Sequence, residues 1–223
     1  MGNPGAKYAR TRHNAGQLVV EELARRLDLG SFGTRFRGSF VEGRGPAGKT
    51  ALLIPTTYMN DSGTSVGPAA GSMHAAPGQV LVIHDEIDIP FGDVRGKTGG
   101  GHGGHNGLRS IIQGLGGRDF HRIRVGVGRQ TGDFAGDEAA WVLANFNEDP
   151  RDVEAMISKA ADMAEVALAD GMEAAISRFH AQPPGEHARE RAARRAAAST
   201  PDASPGAPGE PAAETPQEPD APR

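Results

Sequence analysis

The 223-residue chain has no cysteine, which excludes a disulfide framework and any thiolate metal site. No window approaches the ~18 unbroken apolar residues that a membrane helix requires. The opening MGNPGAKYARTRHNAG lacks an apolar stretch behind a basic head, so it does not read as a secretory signal, and a cytoplasmic protein is the expectation. A strong overall charge is missing as well: 24 Lys+Arg stand against 28 Asp+Glu, for a net −4. The near balance hides an asymmetry. Residues 1–132 carry net +6, residues 133–181 net −8 and residues 182–223 net −2. A basic front half suits a polyanionic ligand such as nucleic acid on one face, although solvated surface charge alone would give the same count.

The length suits one domain with residues left over. Residues 182–223 hold 9 of the 16 Pro and neither an aromatic nor a Val or Ile, so they cannot bury enough apolar surface to offset ordering entropy. They read as a disordered Pro/Ala-rich tail behind a domain of residues 1–181. Its piece EHARERAARRAAA, residues 186–198, could form a transient basic helix that touches RNA.

Within the domain, strand and helix patterns interleave. Val20, Leu23 and Leu27 share a helical face, with Glu21/Arg25 and Glu22/Arg26 spaced as i,i+4 ion pairs. Residues 36–41 and 51–54 predict two strands around a Gly-rich turn, and QVLVI, residues 79–83, predicts a buried strand. Residues 106–115 predict a helix. RIRVGVG, residues 122–128, alternates with Ile123, Val125 and Val127 on one side. Asp149-Pro150 is an N-cap with Pro at the first helical position, opening a helix with Val153, Met156, Ile157, Ala160, Met163 and Val166 on one face. The pattern predicts an α/β fold: a single domain with a mixed twisted sheet and helices on both faces.

Five clusters carry candidate chemistry. GRGPAGKT, residues 43–50, fits the phosphate-loop pattern letter by letter, but that loop needs a helix after it. Here ALLIP follows, a strand ended by Pro55, so a hairpin turn is expected. TRHNAG, residues 11–16, offers His13 as a general base, or merely as a capping residue. HDEIDIP, residues 84–90, puts Asp85 at the carboxyl end of a buried strand, where open α/β sheets place their sites. Asp85 could hold a His tautomer, or join Glu86 and Asp88 on a metal. KTGGGHGGHNG, residues 97–107, permits close backbone approach to a ligand and leads into a helix at Asn106. His102 and His105 alone are too few for zinc. PTTYMNDSG, residues 55–63, supplies the Tyr58 ring and the Asn60 amide. Together these suit general-base hydrolysis with amides orienting the substrate.

In this order, GNPGAKYARTRHNAG, PTTYMNDSG, HDEIDIP, GGGHGGHNGLRSI and FHRIRVGVG resemble the bacterial peptidyl-tRNA hydrolase family, from Gly2 to about Ala181. The resemblance implies a cytoplasmic monomer, without metal or cofactor, that cleaves the ester between a peptide and the terminal ribose of tRNA and so recycles tRNA from stalled translation. It implies that His13 activates water and Asp85 holds its imidazole. Asn3 would contact the peptide and help separate peptidyl- from aminoacyl-tRNA, while Asn60 and Asn106 position the peptide backbone or the attacked carbonyl. Tyr8 and Tyr58 would meet the terminal nucleotide or nearby substrate, His105 would line the cleft, and Lys97 and Arg124 would clamp tRNA phosphates. Members of the family carry an apolar strand before the Gly-Asn-Pro-Gly turn in which this chain begins, so about ten further residues upstream are expected. A non-catalytic RNA-binding relative of the same fold is the alternative.

Overall fold

The structure, a computed structural model, describes residues 1–130 and 134–180 of the 223; the tail reading lies outside the described residues. They hold six strands and six α-helices, with three helices in succession after the last strand. Helix α1 (Ala15–Leu27) follows a 3₁₀ turn at Arg12–Asn14 and buries Val19, Val20 and Leu23, with Leu27 packed beside them. Of the two ion pairs expected on its outer face, Glu22–Arg26 forms at 2.7 Å. Glu21/Arg25 does not: Arg25 forks onto Glu22 at 2.7 and 3.0 Å, and Glu21 accepts from Gln17 instead.

Strands β1 (Gly33–Arg35), β2 (Gly38–Gly45) and β3 (Gly48–Pro55) form an antiparallel sheet. Phe36, expected inside a strand, sits in the β1–β2 turn, where Phe36 and Arg37 both take φ 53°. A two-residue hairpin demands that left-handed backbone because only it matches the strand twist. At the other end Gly45 pairs with Gly48, and Thr50 lies in the ladder opposite Gly43. The phosphate-loop motif is therefore a hairpin, as its context predicted.

The second sheet holds β4 (Leu81–Glu86), β5 (Val94–Thr98) and β6 (His121–Gly126) in the order β4-β6-β5, with β4 parallel and β5 antiparallel to β6. The expected mixed pairing thus belongs to one of two three-stranded sheets. Ile123 and Val125, fully buried, face α1 and α5 (Pro150–Asp170) together with Met156 and Ala160. The opposite face puts Val82 against Leu108 and Ile111 of α3 (Asn106–Leu115). Helix α6 (Met172–His180) closes the β5 edge, where the Gly96 N–H donates to His180 Nε2 at 3.0 Å. Asp149 caps α5 as expected, accepting from the Arg151 N–H at 2.8 Å. None of the described helices is long and apolar enough to cross a membrane.

An apolar groove of about 400 Å³ runs between β3 and β4, lined by Phe40, Leu52, Val66, Val80 and Ile111. Among the described residues β3 pairs only with β2 and β4 only with β6. The Met1 amino group donates to the Ile83 carbonyl at 2.9 Å, and burial pushes its pKa down to about 5.

Helices α2 (Gly63–Ser72) and α3 touch backbone to backbone. A Cβ on Gly67 would stand 2.4 Å from the Gly114 carbonyl oxygen, and one on Gly63 would stand 1.9 Å from that of Ser110. This contact fixes the loop before α2, which carries Asn60, against the start of α3, which carries Asn106. Gly67→Val is accordingly expected to cost about 1–3 kcal/mol through overpacking. Urea unfolding checks it, and an unchanged midpoint would mean that the helices can separate freely.

Candidate active site

His84 and Asp85 lie near the end of β4, both buried, beside its parallel partner β6. Asp85 is 3% exposed, yet its carboxylate is fully engaged. His13 Nδ1 lies 2.9 and 3.0 Å from the two carboxylate oxygens, and His105 Nε2 lies 3.0 Å from Oδ1. Burial on its own would raise the Asp85 pKa, but the two imidazoles and their N–H bonds outweigh it and hold the group well below the ordinary carboxylate range. An ionised acceptor makes both ring nitrogens donors. In its neutral form His13 then carries its proton on Nδ1, which leaves the Nε2 lone pair for a substrate proton.

His105 is locked from its other side too. As N-cap of α3, its Nδ1 accepts from the Gly107 and Leu108 N–H groups at 3.1 and 3.3 Å. Glycines with left-handed backbone at 99, 100, 103 and 104 let the preceding loop double back to deliver it. His102 stays on the rim, where its Nδ1 accepts from the Gly104 N–H.

Asn3 is buried and held by its backbone: its N–H donates to Asn14 Oδ1 at 2.8 Å and its carbonyl accepts from Asn14 Nδ2 at 2.9 Å. Its own Oδ1 accepts from the Met59 N–H at 2.8 Å, leaving the Nδ2 hydrogens for a ligand. Asn3, His13, Asn60, Asp85, His105 and Asn106 all line one cleft of about 400 Å³. Its far wall is α4 (Glu138–Leu143), through Glu138, Ala139, Val142 and Leu143.

Four of the expected site residues lie outside this cleft. Tyr58 is an exposed ring beside Met59, and Tyr8 is stacked under the Lys7 ammonium at 4.7 Å. Lys97 and Arg124 sit on β5 and β6, on the same face as Arg95 and Arg122 by register. Arg122 is buried by donating to the Gly100 and Gly101 carbonyls, so it braces the glycine loop.

His84 was not among the expected site residues. It is 2% exposed and packs edge-on against His105, with ring centroids 5.1 Å apart. Its Nδ1 donates to the Asp85 carbonyl at 2.7 Å, and its Nε2 has no partner among the described residues. Its place in HDEIDIP was visible, but its direction was not, because period-2 alternation fails at a strand end buried on both faces. Helix α4 carried no motif at all.

His13, Asp85 and His105 are, among the described residues, the one group whose donor atoms could hold a metal ion, all lying within 4.8 Å of one another. In the arrangement described, each of these nitrogens is hydrogen-bonded to the Asp85 carboxylate. Asp88, considered with Asp85 and Glu86 for a metal, pairs instead with Arg129 at 2.6 Å.

An α/β protein with a carboxylate-held histidine over an amide-lined cleft is the class that this fold and site define. The sequence profile of the family described as Peptidyl-tRNA hydrolase matches residues 1–187. The peptidyl-tRNA hydrolase of Mycobacterium tuberculosis (strain H37Rv) is 46% identical over 183 residues, covering 81% of this chain and 95% of that protein. That of Mycolicibacterium vanbaalenii is 46% identical over 188 residues, covering 81% and 94%. The crystal structure of peptidyl-tRNA hydrolase from Acinetobacter baumannii superposes with a TM-score of 0.71 at 38% identity, covering 82% of this chain and 93% of that one. The chain belongs to the peptidyl-tRNA hydrolase family.

Burial, with neighbouring His105 second, pushes the His84 pKa from 6.5 down to about 3. The unfolded chain protonates this ring near 6.5 and the folded chain only near 3, so unfolding takes up a proton between those values. Stability is therefore fully present above 6.5 and falls as the pH drops. His84→Asn keeps a donor for the Asp85 carbonyl without the titrating ring. Its Tm should fall less than the parent's between about pH 6.5 and about pH 4.5, and parallel slopes would exclude His84 as the source.

Proposed function

We propose that this chain hydrolyses the ester that joins a peptide to the terminal ribose of tRNA, freeing the tRNA from stalled translation. The observation that carries the reading is the His13–Asp85 contact at 2.9 Å inside a cleft lined by three asparagines. His13 Nε2 takes a proton from water as its oxygen attacks the ester carbonyl. Asn60 and Asn106 offer amide donors to the carbonyl or the peptide backbone. Collapse of the tetrahedral species breaks the bond to the ribose oxygen, and His13 returns the proton to that leaving group. A positioned base contributes about 10²–10⁴-fold, and oriented donors add to it where charge develops on oxygen. Ester cleavage balances without metal or cofactor, and the reading includes neither.

The Asn3 Nδ2 hydrogens suit a peptide carbonyl. The free ammonium of aminoacyl-tRNA has no acceptor to offer them, so discrimination follows from the buried donor left unpaired. Lys97 and Arg124, with Tyr8 and Tyr58, read as the tRNA side of the site. Phosphate contacts there would make affinity fall steeply with salt. In this reading residues 1–181 form the working domain, a cytoplasmic monomer, and residues 182–223 are appended to it.

Release of an N-acetylated amino acid from tRNA tests this directly. The chain should release it far above the buffer rate, with or without EDTA. His13→Ala should lower kcat at least about 10²-fold while tRNA affinity stays within about threefold. Tight tRNA binding without turnover in the parent would favour the non-catalytic RNA-binding relative. Full turnover by the variant would remove His13 as the base.

A further inference from the structure

Among the described residues, the largest fully buried side chain is charged. Arg12, directly before His13, is 1% exposed and reaches across to residues more than 130 positions away. Its Nη1 donates to the Asn145 carbonyl at 2.7 Å, and its Nη2 donates to Asn147 Oδ1 and to Glu148 at 3.0 and 3.2 Å. The guanidinium carbon lies 3.7 Å from the centre of the Trp141 ring in α4 and 5.5 Å from that of Phe146. Backbone bonds run alongside: the Arg12 N–H donates to the Ala144 carbonyl and the Phe146 N–H to the Arg10 carbonyl, both at 3.1 Å.

Such burial has a purpose only if the geometry matters, because a desolvated cation is costly unless each donor is satisfied. Its Nη1 and Nη2 donate to the segment that follows α4, its Nε has no partner among the described residues, and its flat face is the seat for Trp141. The opposite side of that short helix presents Ala139, Val142 and Leu143 to the cleft, across from His13 and Asn3. Trp141 is pinned once more, by Nε1 donating to the Gly128 carbonyl at 2.7 Å. One guanidinium thus joins the turn that bears His13 to the wall that faces it.

We infer that Arg12 is a positioning residue: it sets the α4 wall at a fixed distance from His13, and that spacing holds the peptide part of the substrate. The inference rests on the hydrolase reading of the cleft. The His13–Asp85 contact involves no atom of Arg12, so the loss is expected on substrate binding and not on the chemical step. A lysine keeps the charge but supplies neither the fork nor the flat stacking face.

Trp141 is the only tryptophan and serves as reporter. Arg12→Lys is compared with the parent in three readouts at a temperature where both are folded by circular dichroism. They are acrylamide quenching of Trp141, the KM and kcat for N-acetyl-aminoacyl-tRNA, and the Kd of a non-hydrolysable amide analogue of an N-acetylated aminoacyl-adenosine. The expected result is greater quenching, KM and Kd raised about tenfold, and kcat within about threefold. The Kd readout needs no turnover, so it decides the inference even if the hydrolase reading fails. If Arg12→Lys does not fold, Glu148→Gln and Asn147→Ala decide, with Kd raised about threefold each. A folded variant with Trp141 exposed and Kd unchanged, or with a loss confined to kcat, overturns the inference.

Discussion

A single buried carboxylate organises this protein. Asp85 gives up its hydration at the end of β4 and is compensated by two imidazole N–H groups, from His13 and His105. Each of those rings comes from a different part of the chain, so the carboxylate joins the start of α1, the end of β4 and the start of α3. Removing it would leave two buried donors facing a void, which costs more than the bonds themselves contribute. Because it is ionised, it also dictates where the protons sit on both rings.

The rest of the fold serves to bring those three ends together. Parallel pairing of β4 with β6 aims the carboxyl end of β4 out of the sheet, the position at which α/β folds collect ligands. The glycine contacts between α2 and α3 bring the Met59–Asp61 turn and the start of α3 onto one rim. The Asn3–Asn14 exchange ties the opening turn to the 3₁₀ turn that carries His13. Arg12 bonds to the segment after α4 on the far side, so polar contacts and close backbone packing together fix the walls of the cleft.

What could be read from sequence follows from how local each signal is. Helix α3 runs from Asn106 to Leu115 as the pattern predicts, because its periodicity and its glycine stop are both written in consecutive residues. The hairpin across residues 43–50 was legible because Pro55 and the apolar run after Thr50 leave no room for a helix. The candidate pair His13 and Asp85 could be picked out by chemistry, while their meeting depends on the fold. Arg12, His84 and α4 were not legible. Their roles come from contacts across the whole domain, and nothing beside them in the chain encodes such a partner. Phe36 departs from the strand pattern for a smaller reason: an aromatic with high strand propensity occupies a turn that the neighbouring strands impose.

The central claim is that Asp85 holds the His13 proton on Nδ1 and leaves Nε2 free to act. Nitrogen-15 NMR of the chain labelled at histidine reads this directly, ring by ring, with His13→Ala assigning the signals. The account predicts a protonated, hydrogen-bonded Nδ1 and an unprotonated Nε2 at His13 at neutral pH, with that preference lost in Asp85→Asn. A proton on His13 Nε2 in the parent protein, or a tautomer unaffected by Asp85→Asn, would contradict it.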